Sequence, residues 1–214
     1  LLNDPESSLL LGLGAGAIPR LHETLKQNIP TIGVELDSKI VETAKLYFDL
    51  NDIKNLKIVV DDARRFLIKN SNRHDLIEID LFLSGEIPFH LATQEFFQLV
   101  RDHLTDQGIA VMNIYDPSPD GKIVKPLLNT IASVFPNTYE VDATLGSYLA
   151  MGSKFPLEEA ALNLKPDLNK GFGDVIRHFK NNFERIDFNP KLLVFTDDKS
   201  AIERLSYESI FRNL

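Results

Sequence analysis

A doubly wound α/β sheet, mostly parallel and closed by an antiparallel hairpin, is the architecture this 214-residue sequence predicts. Three observations carry that expectation. Short apolar runs alternate with helix-length segments as far as residue 134. The first run ends on Gly12-Leu13-Gly14-Ala15-Gly16, a turn that opens directly into a helix. After Pro136 the rhythm changes to two strand-like runs joined by Thr144-Leu145-Gly146, a hairpin signal.

Taken in order, SLLLGLG (8–14) carries no polar side chain after Ser8 and reads as a strand buried on both faces. A helix over 16–28 follows, then the strand TIGVEL (31–36) and a helix over 38–50 that Asp37 or Ser38 can cap. LKIVVDD (56–62) leads into a helix over 63–70. DLIEIDLF (75–82) leads into one over 91–104, with Thr93 near its start. Gly108 marks the change to the fifth strand, GIAVMNIY (108–115), and a helix over 121–134 precedes the hairpin runs 137–143 and 147–153. Strand–helix–strand repetition implies right-handed crossovers. Beyond the hairpin, helical patterns cover 157–164, 172–184 and 200–212, with KLLVFTDD (191–198) between the last two. Phe172, Val175, Ile176, Phe179 and Phe183 recur at helical spacing as one apolar packing face. The expectation is a domain of residues 1–154 with a mainly helical extension, 155–214, packed on it.

Composition narrows the function classes. A formal charge of -8 and no run of four basic residues argue against a nucleic-acid surface, which needs clustered Lys and Arg. No apolar run approaches the ~20 residues of a membrane span, and no stretch reads as a signal peptide. The absence of cysteine removes disulfides, thiolate metal sites and cysteine nucleophiles. The five histidines, His22, His74, His90, His103 and His178, lack metal-ligand spacing, so no metal is expected. An acidic, cysteine-free chain of this kind points to the cytoplasm, and a homodimer stays open.

The candidate chemistry lies where the first four strands end. Gly12, Gly14 and Gly16 let the chain turn sharply and let a ligand approach the backbone, and the next helix offers unpaired amides. With Ala17 the turn also fits the looser dinucleotide fingerprint. Glu35, 19 residues past Gly16, ends the second strand and can accept both hydroxyls of a ribose. Asp62, with the small Ala63 beside it, can accept an exocyclic amine of adenine, or simply cap the following helix. Asp80 is a carboxylate in an otherwise apolar strand, costly unless it faces a crevice or is paired. Glu78, two residues earlier, shares its face as a functional partner or a repelling neighbour. Ligands of open α/β sheets bind along this carboxyl edge.

Five alternating units closed by an antiparallel pair outline the fold of S-adenosylmethionine-dependent methyltransferases. LLLGLGAGAIPR, GVELDSKIVETAK, VVDDARRFL, DLIEIDLF and IPFHLATQEFFQLVRDHLTDQGIAVMNI together resemble the spermidine synthase-like family of aminopropyltransferases, across about residues 8–153. FTDDKSAIERL (195–205) resembles the ending of one family branch. The resemblance implies a transferase whose co-substrate is S-adenosylmethionine or its decarboxylated form. It places the aminoacid or aminopropyl end at Gly12 to Gly16, the ribose at Glu35 and adenine at Asp62 and Ala63. It makes Asp80 the group that orients and deprotonates a small amine acceptor.

Two departures bear on the acceptor. The family's gate carries a second carboxylate three residues after the first, and here that position is Leu83; Glu86, Asp197 and Asp198 are the candidates to replace it. The family's N-terminal β-stranded extension is not present in these 214 residues. Slow turnover of putrescine is therefore expected. A methyl acceptor outside polyamine metabolism, a NAD-dependent oxidoreductase and a non-catalytic nucleoside-binding module remain as other readings.

Overall fold

The computed structural model describes residues 5–25, 28–81, 87–118, 120–163 and 173–205. One eight-stranded sheet organises them, in the order β3-β2-β1-β4-β5-β7-β6-β8. The first five strands, β1 (Ser8–Leu11), β2 (Thr31–Glu35), β3 (Leu56–Val60), β4 (His74–Ile79) and β5 (Leu104–Tyr115), are parallel. β6 (Asn137–Thr144) and β7 (Ser147–Ser153) form the expected hairpin, with β7 antiparallel to β5. Thr144, Leu145 and Gly146 all take positive φ at its tip.

The helices alternate with the strands as the apolar pattern requires. α1 (Ala17–Thr24) and α2 (Ser38–Tyr47) follow β1 and β2. α3 (Ala63–Lys69), α4 (Gln94–Asp102) and α5 (Val124–Ala132) follow β3, β4 and β5. Asp37 caps α2 by accepting from the Lys39 amide, and Thr93 caps α4 through the Phe96 amide. One face of the sheet packs Leu9, Leu11, Ile77 and Met112 against Phe66, Phe96 and Leu127 of α3, α4 and α5. The other sets Leu10 and Leu13 against Val41 and Ala44 of α2. Both faces are covered, so Leu9, Leu10 and Leu11 are wholly buried; each contributes roughly 1.5–3 kcal/mol by leaving water.

The C-terminal section departs from its helical pattern. α6 (Glu158–Asn163) and α7 (Gly173–Asn181) form, but Phe183 belongs to a strand, β8 (Phe183–Ile186), which pairs antiparallel with β6. Its ring stacks on Tyr139 at 4.7 Å, a cross-strand contact that outweighs the helical spacing. Val175 is 60% exposed, so the apolar face read across α7 is only partly used; Phe179 packs on Phe183, and Phe172 lies outside the described residues. Phe195 and Ile202 are fully buried in the same cluster as α3 to α5. Among the described residues no helix is long and apolar enough to cross a membrane, and no cluster of metal-ligating side chains forms.

Candidate functional site

Strand register brings the candidate residues level. Leu11 of β1 pairs with Val34 on one side and Ile79 on the other. Gly12, Glu35 and Asp80, each one residue on, therefore meet at the same carboxyl edge. Glu35 pairs with Val60, so Asp61 and Asp62 emerge beside it. A cavity of about 330 Å³ opens there, lined by Gly12, Gly14, Glu35, Asp62, Ala63 and Asp80 among others.

Each side chain is held by local structure. Gly12 has φ +94°, and a Cβ there would fall on the carbonyl oxygen of Asp80, so the loop lies against the end of β4 only as glycine. Gly16 is different: it does not line the cavity. Its left-handed φ turns the chain into α1, and a Cβ would meet Leu50 and Ile53, so it serves packing beneath the loop. Glu35 is only 8% exposed, not an open strand-end carboxylate. Its Oε2 accepts from the Gly14 amide at 2.9 Å and its Oε1 from the Asp37 amide at 3.1 Å. One carboxylate thus staples the glycine loop to the end of β2, with lone pairs left toward the cavity.

Asp62 caps the helix and also lines the cavity. Its Oδ1 accepts from the Arg65 amide at 2.9 Å. Oδ2 accepts from His90 Nε2 at 3.1 Å. Burial works against its ionisation, but the Arg65 amide and His90 outweigh it and lower the carboxyl below its ordinary value. Asp61 turns to Arg65 and Lys69. Asp80 lies one residue beyond β4, earlier than the strand end expected near 82. Asn113 Nδ2 donates to its Oδ1 at 3.1 Å. Glu78 does not act with Asp80; it takes His22 Nε2 at 3.2 Å and Ser8 Oγ at 2.9 Å, tying α1 to β1 and β4.

Sequence reasoning missed three partners: Asn113, His90 and Arg64. Asn113 had a signal, a lone amide in the apolar run VMNIY. His90 and Arg64 had none, because their partners are 28 and 133 residues away. The gate positions Phe82 to Glu86, including Leu83, lie outside the described residues. Asp197, one of the candidates to replace the missing carboxylate, is not in the cavity lining and is bidentate to Arg64 at 2.7 and 2.6 Å. The Arg64 guanidinium, against some burial, holds the Asp197 carboxyl below its usual range.

The charge of the lining decides what the cavity can hold. Among the described residues it presents Glu35, Asp61, Asp62 and Asp80 and no lysine or arginine. A dinucleotide pyrophosphate would find no cationic side chain in this described lining, whereas a sulfonium or ammonium would be attracted by Glu35, Asp62 and Asp80, Asp61 being paired with Arg65 and Lys69.

Comparison with known proteins agrees with the ordered motifs. The spermine/spermidine synthase domain family matches residues 2–166. The chain belongs to that family. Among curated family relatives, a probable polyamine aminopropyl transferase of Bifidobacterium longum is 30% identical over 232 aligned positions, covering 98% of this chain and 51% of that protein. The chain spans about half the length of the curated relatives it matches. The spermine/spermidine synthase fold is shared with a probable spermidine synthase from Corynebacterium glutamicum, at TM-score 0.68 and 22% identity over 89% of this chain and 72% of that one. Human methyltransferase-like protein 13 in complex with SAH superposes at TM-score 0.63 and 18% identity, over 87% and 86% of the two chains. At these identities both structures speak for the fold alone.

Proposed function

We propose that the chain binds decarboxylated S-adenosylmethionine at the carboxyl edge of β1 to β4 and transfers its aminopropyl group to a small amine. The observation that carries this reading is the cavity lining, acidic and without lysine or arginine among the described residues, in a member of the spermine/spermidine synthase domain family. The co-substrate supplies a carbon beside a sulfonium, already an excellent leaving group. The protein's part is alignment and proton removal.

In this reading Glu35 takes the ribose hydroxyls with the lone pairs its two backbone contacts leave free. Asp62 accepts the 6-amino group of adenine, and Ala63 leaves room for the ring. Gly12 and Gly14 admit the aminopropyl end. Asp80, fixed by Asn113, holds the attacking amine through one N–H. The amine lone pair forms the new C–N bond as the C–S bond breaks. The bonding pair leaves with sulfur as a neutral thioether, and the proton of the resulting ammonium passes to the Asp80 carboxylate. No metal is required by this chemistry.

The acceptor is expected to be an amine other than putrescine, because Leu83 cannot neutralise a second buried ammonium and Asp197 is committed to Arg64. Incubation with decarboxylated S-adenosylmethionine and a panel of mono-, di- and polyamines should yield aminopropylated product, with putrescine among the slow acceptors. Asp80→Asn should abolish product at unchanged thermal stability. Turnover of putrescine at ~1–10 per second would contradict the acceptor assignment, and full activity of Asp80→Asn would contradict the role of that carboxylate.

A further inference from the structure

The C-terminal segment reaches the base end of the cavity through a chain of charged contacts. Phe195 is buried among α4 and α5; its carbonyl accepts from the Gln94 amide at 2.8 Å and its amide donates to Thr130 Oγ1 at 3.0 Å. Two residues on, Asp197 receives Arg64 in a two-pronged ion pair and Thr93 Oγ1 at 2.8 Å, while its own amide donates to Glu95 at 3.0 Å. Arg64 Nη1 has a second hydrogen, which goes to the carbonyl oxygen of His90 at 3.1 Å. His90 then donates from Nε2 to Asp62. Nε2 must carry the proton, since an ionised carboxylate only accepts.

This assembly is more specific than general packing. A bidentate guanidinium–carboxylate pair fixes both partners in one plane. Here the same guanidinium also pins the backbone of the residue whose ring faces Asp62. Asp62 in turn is held as an ionised acceptor by two donors, the Arg65 amide and His90, on different elements. An acceptor-only carboxylate at the base end welcomes a 6-amino group and repels a 6-oxo group.

We infer that Arg64 and Asp197 are positioning residues that set the preference for a 6-aminopurine, acting through His90 on Asp62, and that the C-terminal segment is thereby part of the nucleoside site. This rests on the proposed nucleoside reading and adds residues and a selectivity to it. The test compares the affinity of the full chain for 5′-methylthioadenosine and its 6-oxo counterpart, 5′-methylthioinosine, by calorimetry. The parent chain should prefer the amino compound by ~10-fold or more, the effect of one mismatched polar contact. Asp197→Asn keeps the side-chain size and the Phe195 anchor but loses the two-pronged pair, and should reduce that preference to ~3-fold or less. Arg64→Lys, which cannot span both oxygens, should move it the same way. In an Asp62→Asn background, Asp197→Asn should change the preference no further. Equal weakening of both ligands, or an unchanged preference, would show that the clamp is only structural and overturn the inference. A parent chain that binds neither ligand would instead remove the nucleoside reading, and this inference with it.

Discussion

Asp116 shows how much one side chain organises away from the cavity. It is 1% exposed, and its carboxylate accepts from the amides of Ser118, Ile123 and Val124 and from the Ser118 hydroxyl. It thereby fixes the turn after β5 and the start of α5. Burial alone would raise its carboxyl, but the Ser118 hydroxyl and the three amides outweigh it and lower it. A carboxyl depressed on folding contributes stability that is present above its unfolded value, about 3.9. That contribution is lost as pH falls through the folded value. Asp116→Asn should therefore cost ~1–3 kcal/mol at neutral pH, with the gap to the parent chain narrowing below about pH 4. Urea midpoints at pH 7 and pH 3 check this, and a gap of equal size at both would count against it. The sequence offers Asp116 only as an acidic residue before Pro117. Its importance comes from amides seven and eight residues away, which no spacing rule marks.

Strands and helices were far more legible. Period and apolar runs locate β1 to β5, α1 to α5 and the β6–β7 hairpin, because each is decided by contacts local to the run or by burial on both faces. Residues 183–186 were not legible as a strand. Their edge pairing with β6, and the stacking of Phe183 on Tyr139, are choices made by a distant partner. The same holds for residues 191–198, whose sequence pattern gives no hint that Phe195 enters the core of α3 to α5. These contacts make a definite expectation for the extension. Phe195→Ala should cost about 3–5 kcal/mol, and limited proteolysis should not release residues 155–214 from a folded remainder. A stable fragment of residues 1–154, or a Phe195→Ala chain with the parent's unfolding midpoint, would mean that the segment is an independent appendage.

At the scale of the molecule, Glu35, Asp61, Asp62 and Asp80 line one cavity where the parallel strands end. Glu35, Asp62 and Asp80 are legible there because the carboxyl edge of an open α/β sheet is the ligand edge, and register makes them level. The glycine turn alone was ambiguous, since its pattern also suits a dinucleotide; a lining with no lysine or arginine among the described residues suits a sulfonium better than a pyrophosphate. Gly16 was legible as turn chemistry but not as packing, because Leu50 and Ile53 approach it from beyond α2. Calorimetric titration of the chain with 5′-methylthioadenosine and, separately, with NAD tests the central claim most directly. Saturable binding of the thioether nucleoside is expected, weakened roughly tenfold or more in Glu35→Ala, which removes both the proposed ribose acceptor and the staple on Gly14. Heat released by NAD, with no response to any adenosyl thioether or sulfonium, would contradict it.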